Sequence, residues 1–316
     1  MNMTARARDK VDHYLQLMKI DEDIDFDQYL NVEEKAKVKQ AIYWKEKLKD
    51  YQLNGIGHHG LSLPWLKATD FHFRRGESTI HTGYNGHKKS MMLGMLTLAM
   101  IAQGENCLSI SLEMQPHVTL DRMIKQFIGN GQPSLPMHDV FFEFLLNKLF
   151  IYDQVGTVKW RRVIAVSRYA IQELGVTHVF LDSLMKFSIQ KKDLETQAQF
   201  IDEMTTLGKD TGVHFHLVAH ANKPNDKNEF NDPSKYDVSG SSDMTNMVDN
   251  VIIHHQNKNE VRDFDQLFIV GKQRNPEGGN PEPRYLLHFD EGSLQFKSYA
   301  SATRLSNEDW ERCAWR

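Results

Sequence analysis

Apolar and polar positions along the chain follow two alternating periods. Lys89–Gln103 is apolar at most positions and Lys159–Leu174 repeats its apolar residues at helical spacing, so both predict helices. Short apolar runs bounded by polar residues predict strands at Ser78–Thr82, Asn106–Leu112, Leu149–Asp153, Thr177–Leu181 and His214–His220. Strands and helices in alternation imply an α/β fold with a mainly parallel sheet covered on both faces. Four later runs, Asn250–Gln256, Gln266–Lys272, Arg284–Phe289 and Leu294–Lys297, follow one another without helices. They predict an antiparallel C-terminal extension of the same sheet.

The first 60 residues have a different texture. Val11, Tyr14, Leu15 and Met18 share a helical face, as do Val38, Ala41, Ile42 and Leu48, with the acidic run Asp21–Asp27 between them. Two short amphipathic helices have too little surface for a core of their own. They serve either as a cap on the main domain or as an arm on a neighbouring subunit. The glycine-rich stretch Asn54–Gly60 reads as a linker, which divides the chain into a helical arm and linker (1–60), a main domain (61–300) and a tail (301–316). The tail, with Glu308, Asp309, Trp310 and Trp315, is expected to be a frayed end; the alternative is a dock for a partner protein.

Composition narrows the class. At 316 residues and 40% hydrophobic content the chain holds one large domain plus a small appendage. No run approaches the roughly 20 apolar residues that span a bilayer, and Met1–Lys19 lacks the apolar core of a secretory signal. Cys107 and Cys313 stand far apart, which excludes a disulfide framework and a zinc ribbon and fits a reducing, cytoplasm-like compartment. Net charge is −4, without the basic surplus of many nucleic-acid binders, although a pore can be locally basic on an acidic body. His58–His59 and His254–His255 are expected to be structural or surface residues rather than metal ligands, because strand neighbours point to opposite faces.

The strongest chemical motif is G-Y-N-G-H-K-K-S: Gly83, Tyr84, Asn85, Gly86, His87, Lys88, Lys89 and Ser90. Its spacing is that of a phosphate-binding P-loop between a strand and a helix, whose backbone N–H groups and helix N-terminus cradle phosphates. Lys89 would reach the β- and γ-phosphates of ATP, and the Ser90 hydroxyl would ligate Mg²⁺. One position departs from the pattern. Lys88 stands where the last glycine belongs, and it is expected to be harmless, in a helix-compatible conformation with its side chain directed away from the phosphates.

Three further strands end in polar residues of the types an ATPase needs. Glu113 follows Ile110-Ser111-Leu112 and can orient and deprotonate the attacking water. Asp182 closes Val179-Phe180-Leu181, the arrangement that holds Mg²⁺ through water, and His220 ends an apolar run where it can sense the γ-phosphate. Beside these stand S-L-E-M at Ser111–Met114 and Gly271-Lys272-Gln273-Arg274-Asn275. Together they resemble the RecA-like helicase domain of DnaB-like and Twinkle-like replicative helicases, including phage primase–helicases, over about Leu61–Tyr299. Asp237–Asn250 is similar to a segment of that family as well.

That resemblance implies an ATP-dependent helicase: a hexameric ring translocating on single-stranded DNA and unwinding duplex, with Arg274 as an arginine finger in trans and Lys272 as its companion. It implies DNA-facing loops at Ser183–Lys192 (Lys186, Lys191, Lys192) and Asn222–Ser242 (Lys223, Lys227, Lys235). It also points to primase, polymerase or helicase loader as partners, although the family's usual N-terminal domain has only the first 60 or so residues in its place. Two alternatives stand beside it. One is a RecA- or RadA-like recombination ATPase; the other is a nucleotide-dependent DNA-binding ring whose turnover Lys88 impairs.

Overall fold

The computed structural model describes residues 40–54, 60–65, 70–190, 193–221, 238, 242–257, 264–276, 280–298 and 304–313. Ala41, Ile42 and Leu48 lie within these residues, whereas the first helical face, Val11, Tyr14, Leu15 and Met18, and Val38 of the second lie outside them. So do most of the Asn54–Gly60 linker, His58–His59, Lys191, Lys192, nearly all of Asn222–Ser242, and Trp315.

A small antiparallel pair, β1 (Gly60–Ser62) and β2 (His72–Arg74), leads into the main sheet. Strand β3 (Ser78–Thr82) is buried at every position, as a strand covered on both faces must be. It lies between β7 (His214–Val218) and β8 (Asn250–Gln256), parallel to both. Beyond β7 come β6 (His178–Asp182), β4 (Cys107–Ser111) and β5 (Leu149–Ile151), all parallel. Beyond β8 the direction alternates through β9 (Gln266–Gln273), β10 (Arg284–Asp290) and β11 (Gln295–Ser298). The sheet is therefore mixed, mostly parallel with antiparallel C-terminal strands, as the apolar runs predict.

Helices cover both faces. Described helices are α1 (Lys45–Asn54), α2 (Lys89–Ala102), α3 (Pro116–Ile128), α4 (Leu135–Leu145), α5 (Trp160–Glu173), α6 (Leu194–Thr211), α7 (Ser242–Met247) and α8 (Asn307–Arg312). One core layer joins Met92, Leu96 and Phe127 of α2 and α3 to Phe180, Ile252 and Phe268 of the sheet. The other joins Ile164 of α5 and Phe200 and Met204 of α6 to Ile80, Val179 and Phe215. Strand β3 thus sends Ile80 to one core and His81 to the opposite face.

One expectation about the ends changes. The tail does not fray over its described part: α8 begins with a capping box between Ser306 and Asp309, and Trp310 is fully buried against α2 and α3. Its indole leaves water, with the N–H 3.4 Å from the Gln126 carbonyl oxygen, and so anchors the tail to the domain. At the other end, Ile42, Trp44, Leu48 and Leu53 in and before α1 are exposed rather than covered by the described domain.

Candidate active site

The site is assembled where β3, β7, β6 and β4 end side by side, the carboxyl edge at which open α/β sheets bind ligands. Gly83 leaves β3 at φ 151° with its Cα pressed against β8; a Cβ there would lie 2.2 Å from the His254 carbonyl oxygen. Only glycine permits that approach. The loop then turns through Gly86 at φ 83° and enters α2.

Lys89 is buried, and its ammonium donates to the carbonyl oxygens of Gly83 (2.8 Å) and Tyr84 (2.9 Å), so it sits in the concavity of the loop. Burial lowers its pKa to about 8, against the opposing pull of Asp182 and Glu113. Asp182 is itself buried, which raises its pKa, while a hydrogen bond from Ser90 and the charge of Lys89 pull the other way. Leu112 N–H donates to the Asp182 carbonyl, tying the ends of β4 and β6 together, and Ser183 Oγ donates to Glu113 Oε1 at 2.8 Å. His220, just past β7, feels both Lys89 and Glu113; burial lowers its pKa and leaves Nδ1 without a partner among the described residues. Lys89, Ser90, Glu113, Asp182 and His220 therefore share one electrostatic neighbourhood.

The donor set fits a phosphate chain with its divalent ion. Loop N–H groups, a helix N-terminus and a buried ammonium suit anionic oxygens. The Ser90 hydroxyl and Asp182 carboxylate, already in contact, are hard oxygen ligands of the kind Mg²⁺ takes. Tyr84 is half-buried, whereas Asn85 and Gly86 at the loop crest are exposed.

His87 and Lys88 turn their side chains away from this concavity. His87 is buried against His255, and its Nδ1 accepts from Gln256 N–H at 3.2 Å. Lys88 lies with Nζ 4.3 Å from the centroid of the Phe289 ring on β10. Its side chain is directed as expected, but its backbone is not helix-compatible. Lys88 has φ 58° and ψ 26°, a left-handed conformation, because the chain must reverse before α2 starts. For a residue with a Cβ that costs about 1–2 kcal/mol, and a cation–π contact returns about 0.5–1 kcal/mol.

Lys272 and Arg274 are elsewhere. Lys272 Nζ donates to the carbonyl oxygens of Thr245, Asn246 and Val248, and Arg274 Nη2 to those of Asn246, Met247 and Val248. Both serve the C-terminal end of α7, where cations are favoured. This is the amino edge of β3, opposite the loop and about 16 Å away along a five-residue strand. The neighbouring Asn275 donates to Glu77, the residue before β3. Of the expected DNA-facing loops, a 3₁₀ turn at Leu184–Lys186 is described, with Met185 exposed and Lys186 half-exposed.

Several contributors escape sequence reasoning. Ser183, Asp249 and Phe289 act through partners far away in the chain. Four buried histidines form a line across the sheet: His178 Nδ1 to His216 Nε2 (3.1 Å), His216 Nδ1 to His81 Nε2 (3.1 Å), His81 Nδ1 to His254 Nε2 (3.0 Å). The available signal was His214-x-His216 at strand spacing, which puts both rings on one face. Of the adjacent pair His254–His255, both are buried and structural, as expected.

Comparison with known proteins adds the family. A family model described as an AAA domain matches residues 45–226. The chain is similar to a Twinkle homolog protein, chloroplastic/mitochondrial, of Arabidopsis thaliana, 26% identical over 142 residues. That match covers 43% of this chain and 20% of the relative, so the aligned part is about a fifth of the relative's length. Among solved structures, one ATPase domain superposes with a TM-score of 0.68 at 13% identity, covering 82% of this chain and 99% of that one. A DnaB-like replicative helicase, described with its interactions with primase, superposes at 0.66 and 13% identity, covering 82% of this chain and 67% of that one. These likenesses establish a RecA-like AAA fold similar to DnaB-like helicase ATPase domains.

Proposed function

This chain belongs to the AAA domain family, and we propose that it is an ATP-hydrolysing replicative DNA helicase that works as a hexameric ring on single-stranded DNA. An AAA domain implies nucleotide binding, and the P-loop of this one suggests an NTP hydrolase. The observation that carries the finer reading is the division of the site between the two edges of the sheet. Lys89, Ser90, Glu113, Asp182 and His220 stand at the carboxyl edge, and Arg274 with Lys272 at the amino edge. A single chain cannot close the two on one nucleotide. Copies arranged head to tail can, and such an arrangement closes into a ring where the rotation between copies permits it.

In this reading the loop N–H groups and Lys89 would bind the phosphates, and Ser90 and Asp182 would hold Mg²⁺, which would offset charge on the phosphate oxygens. Glu113, oriented by Ser183, takes the proton of the attacking water. His220 would sense the γ-phosphate, and Arg274 of the next copy would supply charge to it. The segments after Asp182 and His220 would carry that change to DNA in the channel, Met185 and Lys186 among them. The exposed apolar residues of α1 support the arm reading of the N-terminal segment, and the primase, polymerase or loader named by the resemblance are the partners to test.

The test is ATP turnover of the full chain in Mg²⁺ with and without single-stranded DNA, beside Lys89→Ala, together with mass measurement and unwinding of a forked duplex. Rings of six, DNA-stimulated turnover lost in Lys89→Ala, and unwinding are expected. Turnover equal in Lys89→Ala would sink the site; filaments with strand exchange would favour the recombination reading. A third reading, a ring that binds nucleotide without turnover, draws on the positive φ of Lys88 and requires the natural protein to be inert.

A further inference from the structure

Lys88 occupies a backbone conformation that glycine adopts readily, and among the described residues its side chain meets the Phe289 ring. Nζ lies 4.3 Å from the centre of the Phe289 ring. That ring is itself fixed: Phe289 meets Phe296 of β11 at 5.0 Å, and its backbone N–H donates to Asp265 Oδ1 at 2.9 Å. Lys88 also opens α2, because its carbonyl accepts the first helical hydrogen bond, from Met92 N–H at 3.0 Å. The preceding residue is tied down as well, His87 by Gln256 and His255 on β8. Two successive loop residues are thus strapped to later strands of the sheet, His87 to β8 and Lys88 to β10.

We propose that Lys88 and Phe289 form a positioning pair, in which the ring holds the lysine side chain and so keeps the phosphate loop in its left-handed turn before α2. The proposal rests on the reading of this loop as the nucleotide site and deepens it. Where a P-loop with glycine at this position reaches the turn through backbone freedom, this chain reaches it through a contact made by a strand nearly 200 residues away. Lys88 acts on the nucleotide through loop geometry, not as a second phosphate-binding cation. The antiparallel strands, which carry Lys272 and Arg274 on β9 and beyond, thereby also support the loop at the opposite edge.

A double-mutant cycle on the full chain tests this, read by affinity for a fluorescent ADP analogue with Mg²⁺ and by KM and kcat for ATP. Phe289→Leu and Lys88→Met each remove the cation–π contact, and each should weaken binding about threefold, more in KM than in kcat. Phe289→Tyr keeps the ring and should keep the affinity. In a Lys88→Gly background the loop no longer depends on the strap, so adding Phe289→Leu should change affinity by less than about 1.5-fold. Equal weakening by Phe289→Leu in both backgrounds would overturn the pairing, as would Lys88→Met binding as tightly as the natural protein. Nucleotide binding absent from the natural protein and from every variant would instead bring down the site assignment, and the pair with it. Lys88→Met keeps the question open to an answer should Phe289→Leu not fold.

Discussion

Arg274 is held by Asp249 twice over: its Nε lies 3.3 Å from Asp249 Oδ1, and its backbone N–H donates to the Asp249 carbonyl at 3.0 Å. Asp249 is buried, and its other oxygen accepts from Ser78 N–H at the start of β3. The guanidinium is therefore fixed to the strand that ends in the phosphate loop, yet at the wrong end to reach it. If Arg274 acts in trans, Arg274→Ala subunits bind nucleotide but lose turnover by about 10³-fold or more. Mixed with Lys89→Ala subunits they should regain part of it, because some interfaces pair an intact loop with an intact finger. Steady-state ATPase of demonstrably mixed rings is the measurement; no recovery would leave Arg274 as a cap of α7 alone.

Glu113→Gln keeps the oxygen that accepts from Ser183 and removes the basic group. Nucleotide affinity should therefore hold while turnover falls by about 10²–10⁴-fold. Loss of affinity instead would give Glu113 a structural role. Equilibrium binding of a nucleotide analogue beside single-turnover hydrolysis separates the two.

The histidine line predicts acid sensitivity. A neutral imidazole has one donor and one acceptor nitrogen, so His178, His216, His81 and His254 satisfy their three shared bonds when all are neutral and oriented one way, whereas two adjoining imidazoliums could not share a bond. Burial pulls all four pKa values down, that of His254 to about 3, and positive charge on neighbouring groups would lower them further: His214 and Arg75 at His178, Lys89 and His87 at His254, the other imidazoles at His81 and His216. His214 beside them is also lowered by burial, with Glu77, Asp249 and the Arg74 carbonyl opposing. Groups depressed in the folded state bind more protons when unfolded, so stability is complete above about pH 6.5 and declines as pH falls below it. The denaturant midpoint should drop between about pH 7.5 and pH 5.5, before carboxylates titrate. An unchanged midpoint would mean that the rings are not held neutral.

Trp310 tests the docked end. Its side chain is fully buried between α2 and α3, so Trp310→Ala should destabilise the domain by about 3–5 kcal/mol. A loss under about 1 kcal/mol, the scale of surface changes, would return the tail to a frayed end. Chemical denaturation of both proteins decides it.

Local pattern and order in the chain were enough for much of this molecule. The period of apolar residues places β3, β8 and α2 within a residue of their observed limits, because each is decided by which side chains leave water. Strand ends carrying Glu113, Asp182 and His220 behind a phosphate loop could be read in order, since a parallel sheet brings the ends of its strands to one edge whatever the intervening lengths. Pairings between distant segments could not. That Lys88 takes a left-handed turn is set by where α2 must start relative to β3, and that it rests on Phe289 by the placing of β10 beside the loop. Trp310 looks like an exposed aromatic in a polar tail until the groove between α2 and α3 exists to receive it. Lys272 and Arg274 share the antiparallel register that sets them at the amino edge, opposite the phosphate loop, and β9 acquires that register only by pairing with β8. Period and order depend on each residue's own hydrophobicity, but proximity across the sheet depends on the simultaneous packing of every strand, and that is a property of the folded chain alone.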